Sequence, residues 1–381
     1  SICHHLHWVF YCLFHIDVTM KYYFISGETS GDNHASRVML ELKKLDKQAF
    51  FRGMGGDMSR EAGQELVIHQ KEMAIMGFAE VLGSIFKILK NIRSIKKDII
   101  TWKPDVVILV DYPGFNFKIA RYAFKNKIPV HYYISPKVWA WKEGRVELIR
   151  KYVSELYCIL PFEKDYFAKK GIKATYVGNP SKETVDAFLA TNILPASTNK
   201  IALLPGSRKQ EISTSLPIML EAIKQFPKYE AIVAQAPGFE EAYYHAFDPS
   251  IKLIPDNMYQ LLAQCDAAIV TSGTATLETA LMNVPQVVCY KTTKVSYTIA
   301  KAVVKLKYIS LVNLILDAPC VKELIQDDFE AEKLGYELHL VLKSKDKIAQ
   351  IALYYKELHA LIGESHPSVN VANNIWRSIA K

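Results

Sequence analysis

Val106-Val107-Ile108-Leu109-Val110-Asp111-Tyr112-Pro113-Gly114 decides the fold. Five unbroken apolar residues closed by a turn read as a strand buried on both faces, the mark of a parallel sheet covered by helices. The pattern repeats on either side of this stretch. Upstream lies Lys21-Tyr22-Tyr23-Phe24-Ile25-Ser26-Gly27, with a Gly-rich turn and a helix from about Ala35. Downstream lie Val130 to Ile134 and Glu155 to Leu160. From Leu189 to Asn199 the pattern lapses into a polar stretch. It then resumes at Ile201 to Leu204, Ala231 to Ala234, Ala267 to Val270 and Gln286 to Tyr290. Strand–turn–helix punctuation in two sets predicts an α/β chain of two Rossmann-like domains facing a cleft. The expected divisions are 20–188, a linker at 189–199, 200–365, and a tail helix over 366–381 returning to the first domain.

The bulk composition agrees with a globular chain. It has 381 residues, 50% hydrophobic and 23% charged, enough for two separate cores. A formal net charge of +8 suits an acidic partner without choosing among nucleotide phosphate, anionic lipid and nucleic acid. Six cysteines (Cys3, Cys12, Cys158, Cys265, Cys289, Cys320) are scattered without a CxxC pair, which fits reduced thiols. Residues 1–19 are rich in His and aromatics and carry no Lys or Arg. They lack the features of a secretory signal and read as translated upstream sequence ahead of Met20. The spacing of Cys3, His4, His5, His7 and Cys12 fits no standard zinc pattern.

In open α/β sheets, ligands sit beyond the carboxyl ends of the strands, so the turns there hold the candidate site residues. Ser26-Gly27-Glu28-Thr29-Ser30-Gly31-Asp32 offers small residues at a helix start, and Gly53-Met54-Gly55-Gly56 is a second small-residue turn. Neither is GxGxxG, which argues against a nicotinamide-dependent oxidoreductase. Asp111 has two readings: a turn-forming cap before Pro113 and Gly114, or a general base whose apolar surroundings raise its pKa. Leu204-Pro205-Gly206-Ser207-Arg208 sets a guanidinium at a helix start, suited to a diphosphate. Thr271-Ser272-Gly273-Thr274-Ala275-Thr276-Leu277-Glu278 offers amides and hydroxyls to phosphate, and an acid one turn on for ribose hydroxyls; a capping box is the plainer reading. No Asp-x-Asp pair suggests a bound divalent cation, and no metal or cofactor is expected.

Two stretches interleave apolar residues with cations. Val81 to Ile100 carries Lys87, Lys90, Arg93, Lys96 and Lys97; Lys294 to Lys307 carries Val295, Ile299, Val303 and Leu306 among four lysines. Both fit helices lying on an anionic membrane surface, or helices that cover their own core.

Together these motifs resemble the lipid-A-disaccharide synthase family, inverting glycosyltransferases of the GT-B arrangement. The resemblance adds Met76-Gly77-Phe78-Ala79-Glu80-Val81-Leu82, Asn116 after Asp111, Ser135-Pro136-Lys137-Val138-Trp139-Ala140-Trp141, Leu160-Pro161-Phe162-Glu163, and Asn313 with Glu323 to Gln326. It spans about residues 20 to 326 in order, and the run from Ser135 and Pro136 through Val138 to Trp139-Ala140-Trp141 is especially particular to the family.

What the resemblance implies is transfer from UDP-2,3-diacylglucosamine to 2,3-diacylglucosamine 1-phosphate without a metal. The products would be a β-1',6-linked disaccharide 1-phosphate and UDP, in lipid A biosynthesis. It makes Asp111 the base and Arg208 the diphosphate partner. Ser26, Gly27, Glu28, Ser30, Gly31, Asp32, Met76, Glu80, Asn116, Ser135 and Trp139 become substrate-binding residues of the first half. Gly206, Ser207, Ser272, Gly273, Thr274, Ala275, Thr276, Glu278, Asn313 and Gln326 do the same in the second. It further implies a peripheral place on the cytoplasmic face of the inner membrane, leaves room for a homo-oligomer, and calls for no nucleic acid. Two positions depart from the family pattern: Asn179 stands where His is usual, and Val312 where Pro is usual. The nearer rivals are a peptidoglycan glycosyltransferase or a UDP-sugar epimerase, and the more distant one a non-catalytic binder.

Overall fold

The computed structural model describes residues 19–73, 81–194, 198–255, 257–303 and 306–380. Met76 and Glu80, and the terminal cysteines and histidines at 3–12, lie outside them. By packing the chain forms two units. The first comprises residues up to Ile159, Glu163–Val177 and His366 onward; the second comprises Leu160–Phe162 and Gly178–Ser365.

The first unit holds seven strands: β1 (Lys21–Ser26), β2 (Phe50–Gly55), β3 (Gln64–His69), β4 (Val106–Val110), β5 (Val130–Tyr133), β6 (Glu155–Cys158) and β7 (Ala174–Tyr176). All pairings are parallel, in the order β3-β2-β1-β4-β5-β6-β7. The order reverses direction between β1 and β4, the switch point at which open α/β sheets place their ligands. Every residue of β4 is fully buried, as its unbroken apolar run requires. Each such side chain contributes roughly 1.5–3 kcal/mol relative to exposure. The helix Pro367–Ile379 packs on the helix Thr29–Leu45, burying Val371, Ala372 and Ile375 in the core that also holds Tyr22 and Phe24.

The second unit repeats the design with β8 (Lys200–Leu204), β9 (Glu230–Gln235), β10 (Lys252–Pro255), β11 (Ala267–Thr271), β12 (Gln286–Tyr290) and β13 (Lys322–Ile325). They pair in parallel as β10-β9-β8-β11-β12-β13. Here the order reverses between β8 and β11, and the Gly206 and Gly273 turns follow these two strands.

Several local expectations are corrected. The first helix begins at Thr29 rather than near Ala35, so Ser30, Gly31 and Asp32 form its opening turn. Gly53, Met54 and Gly55 belong to β2, and only Gly56 stands outside it, as the N-cap of Asp57–Glu61. The helix Pro180–Thr191 runs into the stretch expected to be linker and packs with the second unit, so the division falls at Val177/Gly178. The Val81–Trp102 helix buries Ile92, Ile95 and Ile99 in the first unit's core and leaves Phe86 exposed. In contrast, Val295 and Ile299 of Lys294–Val303 are both well exposed. No helix among the described residues is long and apolar enough to cross a membrane.

Candidate active site

At the carboxyl edge of the first sheet, Ser26, Val110 and Tyr133 stand side by side in register. Just beyond them the backbone turns sharply. Asp111 (φ 47°), Tyr112 (φ 50°) and Ile134 (φ 62°) are all left-handed. Each costs roughly 1–2 kcal/mol for an L-residue, and a β-branched residue there is rarer still. Strain of this kind persists only where its surroundings fix it, and it clusters at working sites. The surroundings are visible here. The Asp111 carbonyl accepts from the Tyr132 hydroxyl at 2.6 Å and from Asn116 Nδ2 at 2.6 Å. Gly27 lies against the Tyr112 ring, and a Cβ at that position would stand 2.4 Å from it.

The Asp111 carboxyl is pushed above the ordinary carboxylate range by burial. Lys137 and the Tyr112 amide pull the other way. A carboxylate so placed can accept a proton from a hydroxyl near neutral pH. Among the described residues, the buried Ser26 and Ser135 hydroxyls and Asn116 Oδ1 find no hydrogen-bond partner. Buried polar atoms are normally satisfied, so such gaps at a strand edge point to bound water or ligand. Glu28 and Ser30 are exposed at the start of the first helix.

Other expected residues serve the scaffold. Asp32 is buried, and its carboxylate accepts from the Gly56 (2.7 Å), Met58 (3.1 Å) and Ser59 (3.2 Å) amides. That fixes the turn after β2 and leaves Asp32 little capacity to act as a base. The Trp139 indole donates to the buried Glu163 carboxylate at 3.0 Å, tying the Trp139-Ala140-Trp141 segment to the Pro161–Lys169 helix.

The second unit carries a pocket of about 680 Å³ at the ends of β8, β9 and β11. Gly206, Ser207, Arg208, Ser272, Gly273, Thr274, Ala275 and Glu278 line it together. The helix Thr274–Leu281 opens on this pocket; the Thr276 amide donates to the Gly273 carbonyl at 3.2 Å, whereas the Thr274 and Ala275 amides ahead of it precede any intrahelical acceptor. Their dipoles favour an anion. Glu278 lies one turn further in. Burial raises its carboxyl, against hydrogen bonds from Tyr259 (2.6 Å) and Ser181 (3.5 Å). Arg208 projects with its side chain 84% exposed, a loose 3.9 Å from Glu211. Glu211 Oε2 accepts from the Ser207 and Arg208 amides, fixing the turn that Gly206 enters at φ 117°. A Cβ at Gly206 would strike that carboxylate at 2.7 Å.

Three expected residues stand apart from this pocket's lining. Thr276 is buried and donates to the Gly273 carbonyl. Asn313 is spent on both backbone groups of Val321 and on Glu323, and Gln326 pairs with both backbone groups of Thr292. Asn179 caps the Pro180–Thr191 helix, accepting from the Ser181 and Lys182 amides. Asn is among the best residues for that task, which gives the departure at this position a structural reason. Sequence reasoning missed Tyr259, Glu211 and Gln235. Gln235 follows from the strand-end rule applied to β9, whereas Tyr259 carries no local signal.

Two parallel-sheet α/β units, each with its candidate residues at a switch point, define the GT-B class of glycosyltransferase fold. Acinetobacter baumannii MurG shares the architecture, with a TM-score of 0.57 at 16% identity over 94% of this chain and 99% of that one. Staphylococcus aureus MnaA, solved with UDP, gives 0.66 at 13% identity over 95% and 97%. At such identities the likeness shows the fold alone. The family described as lipid-A-disaccharide synthetase matches residues 22–372, and the chain belongs to it. The lipid-A-disaccharide synthase of Anaeromyxobacter sp. (strain K) is 36% identical over 92% of this chain and 95% of its own. That of Geobacter sulfurreducens is 35% identical over 82% and 85%. The chain is therefore a glycosyltransferase of lipid A biosynthesis, and membership implies a UDP-sugar donor and a lipid acceptor.

Proposed function

We propose that the chain transfers 2,3-diacylglucosamine from its UDP ester to the 6-hydroxyl of 2,3-diacylglucosamine 1-phosphate. The observation that carries the reading is the pairing of chemistries in one pocket of the second unit. A helix N-terminus and Arg208 suit a diphosphate, and the buried acid Glu278, one turn on, suits ribose hydroxyls. In the first unit Asp111 takes the proton from the acceptor hydroxyl. The acceptor oxygen bonds to the donor anomeric carbon as the bond from that carbon to the diphosphate oxygen breaks. The electron pair leaves with UDP, whose charge Arg208 and the helix dipole stabilise. Attack opposite the leaving group inverts the anomeric centre and gives a β-1',6 linkage. In this reading no metal takes part.

The acyl chains of these substrates suit an enzyme attached peripherally at the cytoplasmic face of the inner membrane. The exposed Val295 and Ile299, on a helix that also carries Lys294 and Lys301, suit an anionic surface there. A homo-oligomeric assembly is compatible with this reading.

The test supplies purified protein with UDP-diacylglucosamine in EDTA, with and without the acceptor. Acceptor-dependent UDP release with a β-linked disaccharide product is expected. UDP release that needs no acceptor, or that stops when EDTA is added, would overturn the reaction or its metal independence respectively.

A further inference from the structure

The left-handed pair Asp111–Tyr112 is held by a group that the sequence motifs do not single out. Tyr132 lies on β5, the strand beside β4, with its ring fully buried against Phe117 at 5.8 Å between centroids. Its hydroxyl reaches across to the carbonyl of Asp111, which also accepts from Asn116 Nδ2. Asn116 sits one turn into the helix Pro113–Lys125, and its Nδ2 lies 3.4 Å from the Val110 carbonyl as well. Two side-chain donors, from a neighbouring strand and from the following helix, thus converge on one peptide carbonyl. A left-handed residue reverts readily to the extended region unless its carbonyl is fixed, and reversion would swing the Asp111 carboxylate away from its place.

We propose that Tyr132 is a positioning residue: with Asn116 it clamps the Asp111 carbonyl and so aims the carboxylate at the acceptor hydroxyl. The inference rests on the reading of Asp111 as the base. Tyr132 touches no substrate in this account, and its hydroxyl exchanges no proton in the reaction. Among the described residues, Lys137 acts on the Asp111 carboxyl, Glu28 on the Tyr112 hydroxyl, and Asp111 and Arg145 on the Tyr132 hydroxyl in opposite senses.

The test is the pH dependence of kcat for the full chain carrying Tyr132→Phe, with UDP-diacylglucosamine and diacylglucosamine 1-phosphate. Phenylalanine keeps the buried ring and removes only the donor. A released carboxylate drifts from Lys137 and from the Tyr112 amide, both of which favour its charged form. The acid limb of the profile should therefore move to higher pH by half a unit or more. At pH 7, kcat should fall at least tenfold while the donor KM stays within twofold. Asn116→Ala, which removes the other donor, should move the limb in the same direction.

A purely structural role would lower the amplitude through loss of folded enzyme and leave the limb in place; that result overturns the proposal. Asp111→Asn is run beside it. If Asp111→Asn is inactive while Tyr132→Phe keeps the wild-type limb, the clamp alone fails. If Asp111→Asn turns over normally, the base assignment fails and takes the clamp with it.

Discussion

Tyr259 donates its hydroxyl to the Glu278 carboxylate at 2.6 Å, although the two residues come from different strand–helix connections of the second unit. The contact works against burial, which raises the carboxyl above the ordinary carboxylate range. An ionised Glu278 is the stronger acceptor for two ribose hydroxyls, since protonation turns one of its oxygens into a donor. UDP affinity should therefore fall as pH drops through the raised Glu278 pKa. Tyr259→Phe should move that fall to higher pH. Glu278→Gln should weaken UDP about 10- to 100-fold at neutral pH, the range expected for hydrogen bonds to a charged group. Calorimetric titration of UDP between pH 5 and 8 checks both.

Lys137 is the charged side chain that lowers the Asp111 pKa against burial. In Lys137→Met the carboxyl should titrate higher, and the acid limb of kcat should shift upward. The rate above that limb should change little if Lys137 acts through charge alone. The pH–rate profile of the variant decides the matter. An unshifted limb would mean that another group is titrating.

The strands and their order of appearance were legible because parallel strands buried on both faces must be continuous apolar runs; β4, β8, β11 and β12 are of this kind. The strands that escaped notice, β2, β3, β7, β10 and β13, lie at or next to sheet edges and are short or broken by polar residues, so none is a long continuous apolar run. The pocket of the second unit was legible for the same reason as its strands, since Gly206 and Ser272 to Glu278 follow them directly. Asp32 and Asn313 misled because a motif shows residue type, not what the side chain is already bonded to. Their acceptors and donors are taken by backbone groups distant in sequence, which no spacing rule reveals. Tyr259 and Tyr132 were invisible because each acts through a contact that only the folded sheet creates.

His131 is buried beneath the C-terminal helix. Its Nδ1 lies 2.7 Å from the Tyr157 hydroxyl and its Nε2 3.2 Å from Ser378 Oγ. Ser378 donates to the Ile375 carbonyl, so Ser378 accepts from Nε2–H and Tyr157 donates to Nδ1. Burial lowers the pKa of His131 to about 4, and that of His34 likewise to about 4. Between pH 6.5 and 4 the unfolded chain therefore binds more protons than the folded one, and stability falls as pH drops across that window. Each histidine should add up to about 1.4 kcal/mol per pH unit to the slope. Urea unfolding at pH 7, 6 and 5 should show this loss, and His131→Gln should flatten it.

The central claim is that Asp111 removes the acceptor proton while the second unit holds the nucleotide by itself. The most direct measurement compares wild type with Asp111→Asn for two quantities: turnover of UDP-diacylglucosamine with its acceptor, and UDP affinity. Turnover should fall at least a thousandfold while UDP affinity stays within twofold, since Asp111 lies outside the pocket proposed for UDP. Turnover within tenfold of wild type would contradict it and return Asp111 to the role of a turn-forming residue.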